Sequence, residues 1–92
     1  MSYAYAKTDA NQAEIVRALI HIGCTVHVVN RAPFDVVVGR LGANYLLEIK
    51  DSAKTLSQQK LKPSQERFSQ EWRGQWACVN TAEAAIKIVT GK

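Results

Sequence analysis

Cysteine is scarce in this chain of 92 residues: Cys24 and Cys78 are the two it has. Two cannot staple a small secreted fold. Both lie in apolar segments, so the sequence predicts buried free thiols in a reducing compartment. Zinc is not indicated, because His21 and His27 do not stand at a ligand spacing on a helix; packing or surface roles fit them better. Proline occurs twice and glycine five times, and no repeat, linker or low-complexity stretch appears. Long apolar runs are also missing, so no transmembrane helix is expected, and residues 1–7 lack the apolar stretch of a secretory signal. Acidic residues are outnumbered, 8 against 12 basic ones, for a net charge of +4. That tilt favours an acidic partner such as nucleic acid.

What is present is an ordinary globular mixture, 47% hydrophobic and 22% charged. The length suits one domain, with a core that buries about 60–65% of the unfolded surface, so the chain folds alone with little margin or as an oligomer. Thr8 or Asp9 can cap a first helix running to about Ile22, with Ile15, Leu19 and Ile22 as its stripe, widened by Val16 and Ile20, and Gly23 as its stop. Residues 24–29 read as a strand broken by residues 30–33. Residues 34–38 form a second strand, residues 39–44 a hairpin turn, and residues 45–50 a third strand with Glu48 and Lys50 on one face. A polar, basic loop covers residues 51–62. Pro63 opens a second helix with Gln65, Phe68 and Trp72 on one face, ended by Gly74. Residues 76–79 form a short strand, and Thr81 caps a last helix with Ala82, Ala85, Ile86 and Val89 as its apolar stripe. The expected class is α/β, in the order α-β-β-β-α-β-α, a small mixed sheet flanked by helices.

The anomaly lies in the most apolar part. Asp35 heads Val36-Val37-Val38, and Glu48 and Lys50 interrupt the third strand. A charge among core strands costs several kcal/mol unless it is paired or bound to a metal. If the two strands pair through the turn, Asp35 comes near Glu48, with Lys50 one pleat away. Two carboxylates about 4 Å apart repel by roughly 4 kcal/mol at an effective dielectric of 20. A divalent cation removes that repulsion, and oxygen donors of this kind suit Mg²⁺ or Mn²⁺.

Asp35, a hairpin and then Glu48-Ile49-Lys50 resemble the core of the PD-(D/E)XK nuclease superfamily, and the resemblance covers most of the chain. Glu14 matches an acidic residue that many members carry on their first helix. Leu61-Lys62-Pro63-Ser64-Gln65 is similar to the leucine-threonine-proline-x-glutamine segment of the VRR-NUC and Holliday-junction-resolvase-like group, which includes small stand-alone phage-type proteins. Phe34 is a departure, separating Pro33 from Asp35. The resemblance implies that Asp35, Glu48 and the Ile49 backbone carbonyl hold Mg²⁺ or Mn²⁺. It implies that Lys50 positions or helps deprotonate the attacking water. Glu14 would hold a water of the ion or a second ion, and Gln65 would hydrogen-bond the phosphate or the water shell. The implied activity is cleavage of DNA, by structure rather than sequence, leaving 5′-phosphate and 3′-hydroxyl ends, by a homodimer in the cytoplasm of a bacterial or phage-infected cell.

Charge falls where such an enzyme needs it. Residues 50–73 hold six basic and three acidic residues. Lys54, Lys60, Lys62, Arg67 and Arg73 are the expected phosphate contacts, giving affinity without sequence choice. Blander readings stand beside each residue. Glu48 and Lys50 read also as an edge pair facing water, Asp35 as a turn cap, Glu14 as a solvated helix residue and Gln65 as a first-turn residue. Trp72 and Trp76 suit core packing beside Phe68 better than base stacking. At the level of the whole chain, the alternatives are a non-catalytic DNA-binding module and a phage-type protein-interaction protein.

Overall fold

Valine-rich strands set the middle of the molecule, which a computed structural model describes for residues 10–51 and 53–92. The elements are helix α1 (Ala10–His21), strands β1 (Thr25–Arg31), β2 (Phe34–Arg40) and β3 (Ala43–Ile49), a 3₁₀ turn (Ser57–Gln59), helix α2 (Pro63–Glu71), strand β4 (Trp76–Val79) and helix α3 (Ala82–Thr90). The strands form one sheet in the order β1-β2-β3-β4. The first three run antiparallel and β4 lies parallel to β3. A parallel pair needs a crossover, and residues 50–75, which carry α2, supply it. The expected α/β class and element order are therefore those of the structure.

One face of the sheet makes the core. Alternation brings Val26, Val28, Val36, Val38, Tyr45, Leu47, Ile49, Ala77 and Val79 to that face, against Ile15 and Leu19 of α1 and Ala85 and Val89 of α3. The helices pack on each other as well as on the sheet. Thr81 caps α3 as expected, its hydroxyl oxygen accepting from the Ala84 N–H at 3.0 Å. No helix among the described residues is long and apolar enough to cross a membrane.

Several boundaries move. The cap expected at Thr8 or Asp9 lies outside the described residues. On α1, Ile20 is 54% exposed and leaves the stripe, while Gln12 is buried in its place. β1 runs through Asn30, which takes a φ of 53°, and the register with β2 shifts between Val28 and Arg31. That irregularity absorbs the residue expected to end the strand. The six-residue turn shrinks to two, Leu41 and Gly42, with φ of 50° and 82°. Positive φ at both central positions matches the twist of the flanking strands. Helix α2 stops at Glu71, three residues before the glycine expected to end it, with Trp72 already extended at φ −72° and ψ 127°. Gly74 acts through close approach instead: a Cβ there would meet Trp72 Nε1 at 2.7 Å. Cys24 is buried as expected, but Cys78 is exposed, because it lies on the sheet face opposite the core.

The Gly42 backbone has a testable cost. A Cβ at this position meets nothing within 4 Å, so a substitution acts on the backbone alone. Gly42→Ala is expected to destabilise the protein by about 1 kcal/mol through the left-handed conformation. A lower urea midpoint at unchanged slope is the expected readout.

Candidate functional site

The start of β2 and the end of β3 meet at one edge of the hairpin. Val36 pairs with Leu47, and the same register carried one step further sets Asp35 opposite Glu48. Asp35 Oδ2 accepts a hydrogen bond from the Ile49 N–H at 2.8 Å. Glu48 points to the face away from α1 and α3, yet it is only 5% exposed. Gln65, at 4%, is buried beside it.

Lys50 follows β3 directly, and its backbone is fixed from both sides. Its N–H donates to the Val79 carbonyl at 2.9 Å, and its own carbonyl accepts from Asn11 Nδ2 at 2.7 Å. From this fixed origin its Nζ reaches Glu48 Oε2 at 3.3 Å and donates to Gln65 Oε1 at 3.2 Å. The same Gln65 oxygen accepts the Lys62 N–H at 2.9 Å. Lysine offers no side-chain acceptor at the start of α2, so the N3 glutamine supplies the return half of a capping box alone. The Gln65 side chain also lies near enough to Glu48 to favour its ionised form. Gln65 thus ties the first turn of α2 to the charged pair.

Burial pushes the Glu48 carboxyl up from its ordinary range, and the charge of Asp35 pushes it further; Lys50 and Gln65 oppose the rise. Cys78 stands opposite Glu48 across the parallel ladder. Its thiol is raised by the protein around it first and by Glu48 next.

The structure therefore brings together Asp35, Glu48, Ile49, Lys50 and Gln65. Glu14 is exposed on α1, one turn beyond Asn11, and no group of three or more His, Cys, Asp or Glu able to hold a metal forms among the described residues. Lys54, Lys60, Lys62, Arg67 and Arg73 are all exposed. Their loop is nonetheless tied down. Asn80 Nδ2 donates to Gln59 Oε1 and Gln59 Nε2 to the Lys54 carbonyl, each at 2.9 Å. Two neighbours escaped the sequence. Asn11 holds Lys50 in place from the first turn of α1, and Cys78 borders the pair through the parallel β3–β4 register; no local pattern encodes either placement. Chemically the cluster offers two oxygen donors, an ammonium group held by two partners and an amide that bridges them.

Comparison of the chain with protein-family models, with curated proteins and with solved structures finds no match in any of the three.

The raised Glu48 pKa has a signed consequence. The folded state binds this proton more tightly than the unfolded one. The stability that Glu48 contributes is therefore complete below the ordinary glutamate range and is lost as pH rises through the raised value. Asp35→Asn removes one cause of the rise, while its amide oxygen can still accept from Ile49. In metal-free buffer at neutral pH the variant is expected to melt about 5 °C higher, the shift that about 1 kcal/mol makes in a domain of this size. The gain should shrink towards acid pH. Thermal scans across a pH series check this; a lower melting temperature at every pH would make Asp35 a strand-end cap instead.

Proposed function

We propose that this chain is a Mg²⁺-dependent nuclease that hydrolyses DNA phosphodiesters and selects them by shape rather than sequence. The observation that carries the reading is the lysine ammonium 3.3 Å from a buried glutamate that a second carboxylate faces across the hairpin. Folding alone gains little from such a group, since burying charge costs more than an apolar substitute would.

The donor set fits the ion. Asp35 and Glu48 are hard oxygen donors, and their repulsion, felt in the raised Glu48 pKa, is what a divalent cation relieves. Two carboxylates and the Ile49 carbonyl suit Mg²⁺ or Mn²⁺, which keep several waters of their own. When bound, the ion would lower the pKa of a coordinated water and screen the phosphate. Lys50 has a fixed root and a head steered by Glu48 and Gln65. In this reading it orients the attacking water and lays positive charge against the transition state. Gln65 holds that ammonium. The exposed lysines and arginines of residues 54–73 would take the phosphates on either side. A homodimer would place one site on each strand of a duplex or junction.

A second reading has an observation of its own. The Lys50–Glu48 contact and the Gln65 bridge are internally satisfied, as a protein-interaction module on this fold would need them to be. A Mg²⁺ titration separates the two: Mg²⁺ should raise the melting temperature of the wild type by mass action and leave Asp35→Asn unmoved.

Two expectations follow for DNA. Lys50→Ala should lower the cleavage rate by about a hundred- to a thousandfold while leaving Mg²⁺ and DNA binding nearly intact, as read by single-turnover kinetics and calorimetry on linear, flapped, splayed and four-way substrates. Near wild-type turnover would remove Lys50 from the mechanism. Reversing both Lys60 and Lys62 to Glu should weaken binding equally across sequences and flatten the slope of log affinity against log salt by about 1 per lost phosphate contact. An unchanged slope would place the DNA path elsewhere.

A further inference from the structure

Trp72 is the one aromatic among the large apolar side chains left exposed in the described residues, at 45%. Its orientation is nonetheless fixed. Its backbone N–H closes the helix on the Phe68 carbonyl at 2.8 Å, and its indole stacks on the Phe68 ring with centroids 5.2 Å apart and planes 17° from parallel. The chain folds back so tightly at Gly74 that no Cβ would fit against the indole. Phe68 in turn meets Phe34 at 6.1 Å. The row therefore starts at the residue before Asp35, passes one turn of helix beyond Gln65 and ends at the surface.

Charge borders the row on both sides. Arg73, next to Trp72, is exposed. Arg67 and Phe68 line a groove of about 250 Å³ together with Ala32, Pro33, Ser64 and Glu71. Trp72 is not among the residues that line it, so the groove runs beside the stacked pair, with Ser64 and Arg67 offering donors and acceptors there. The two arginines answer the phosphates that accompany a nucleobase.

We propose that Phe68 and Trp72 form a stacking shelf for an unpaired nucleobase beside the phosphate that faces Asp35, Glu48 and Lys50. The proposal rests on the nuclease reading and narrows it. Bases inside a duplex already stack on one another and offer no free face, so a shelf of this kind acts on single-stranded nucleotides. The substrate class is DNA with an unpaired segment at or next to the scissile position, such as a flap, a splayed arm or a frayed end.

The test uses the intact protein without divalent cations, so that cleavage does not enter. Fluorescein-labelled oligothymidylate, a flapped duplex and a blunt duplex of equal length are titrated by anisotropy, and tryptophan emission is followed in parallel. Single strand and flap should quench emission. Trp72→Ala should weaken both by about tenfold and blunt duplex by less than twofold, and Trp72→Phe should restore most of the loss. The side chain is half exposed, and a thermal melt verifies that each variant folds. Equal losses on all three DNAs, or no loss, would overturn the shelf. So would a Trp72→Ala change confined to sedimentation, which would make the patch a contact between copies of this chain. A protein that stacks single strands through Trp72 and cuts no DNA with Mg²⁺ would keep the shelf and remove the nuclease. One that cuts, with single-strand affinity independent of Trp72, would do the reverse.

Discussion

The constraint on which the rest of the structure depends is the burial of Glu48. A carboxylate with 5% of its surface exposed loses most of its hydration, and a second carboxylate faces it across the hairpin. Something must answer that charge. Lys50 does so at 3.3 Å, Gln65 holds that ammonium at 3.2 Å, and the pKa of Glu48 still rises. Each answer commits another part of the chain. Lys50 can reach Glu48 because Val79 and Asn11 clamp its backbone. Gln65 can reach both because α2 begins where it does, with Pro63 at the first position. The start of α2 is positioned, through one glutamine, by the needs of one carboxylate.

The two faces of the sheet carry different burdens. The face against α1 and α3 is apolar throughout and holds the fully buried Ile15, Leu19, Val36, Val38 and Leu47. The other face carries Glu48 and Cys78, and there α2 contributes a glutamine and a phenylalanine instead of an apolar stripe. Alternation along β3 makes this division possible, because Leu47 and Glu48 are neighbours in sequence and point to opposite sides. Register is then part of the chemistry. A slip of one residue between β2 and β3 would move the apolar set out of the core and separate Asp35 from Glu48, so the same apolar packing that stabilises the sheet also fixes the carboxylate pair.

Much of this was legible in the residues, and the reasons differ by element. Alternation in residues 45–50 assigned the faces of β3, because a half-buried strand writes its environment at a period of two. The threonine cap of α3 and the proline at the head of α2 are local and were readable for that reason. Asp35 and Glu48 stood out because charge in an apolar run conflicts with its neighbours, and such conflicts mark positions that packing alone did not choose. What escaped reading depends on tertiary placement. Cys78 sits in an apolar tetrapeptide, and only its pairing with Glu48 across a parallel ladder puts it on the open face. Ile20 has the spacing of a stripe residue, but the sheet meets α1 on the side of Gln12, Ile15 and Leu19. Gly74 looked like a helix stop, whereas its lack of a side chain serves a neighbouring indole.

These placements bear on how the proposed site could be held together at so small a size. A 92-residue chain has one apolar core to spend, and here it lies wholly on one side of the sheet. The other side has to hold α2 with polar contacts and one aromatic row. Gln65 reaches Glu48 and Lys50, and Phe68 reaches Phe34, the residue before Asp35. Both attachments therefore end within one residue of the carboxylate pair. Anything that shifts Asp35 or Glu48 pulls on the helix that carries Arg67 and on the row that ends at Trp72. Polar attachment is weaker per contact than apolar burial, but it is directional, and direction is what a site of fixed geometry needs. The sheet secures its stability on one face and its geometry on the other, and the hairpin register joins the two.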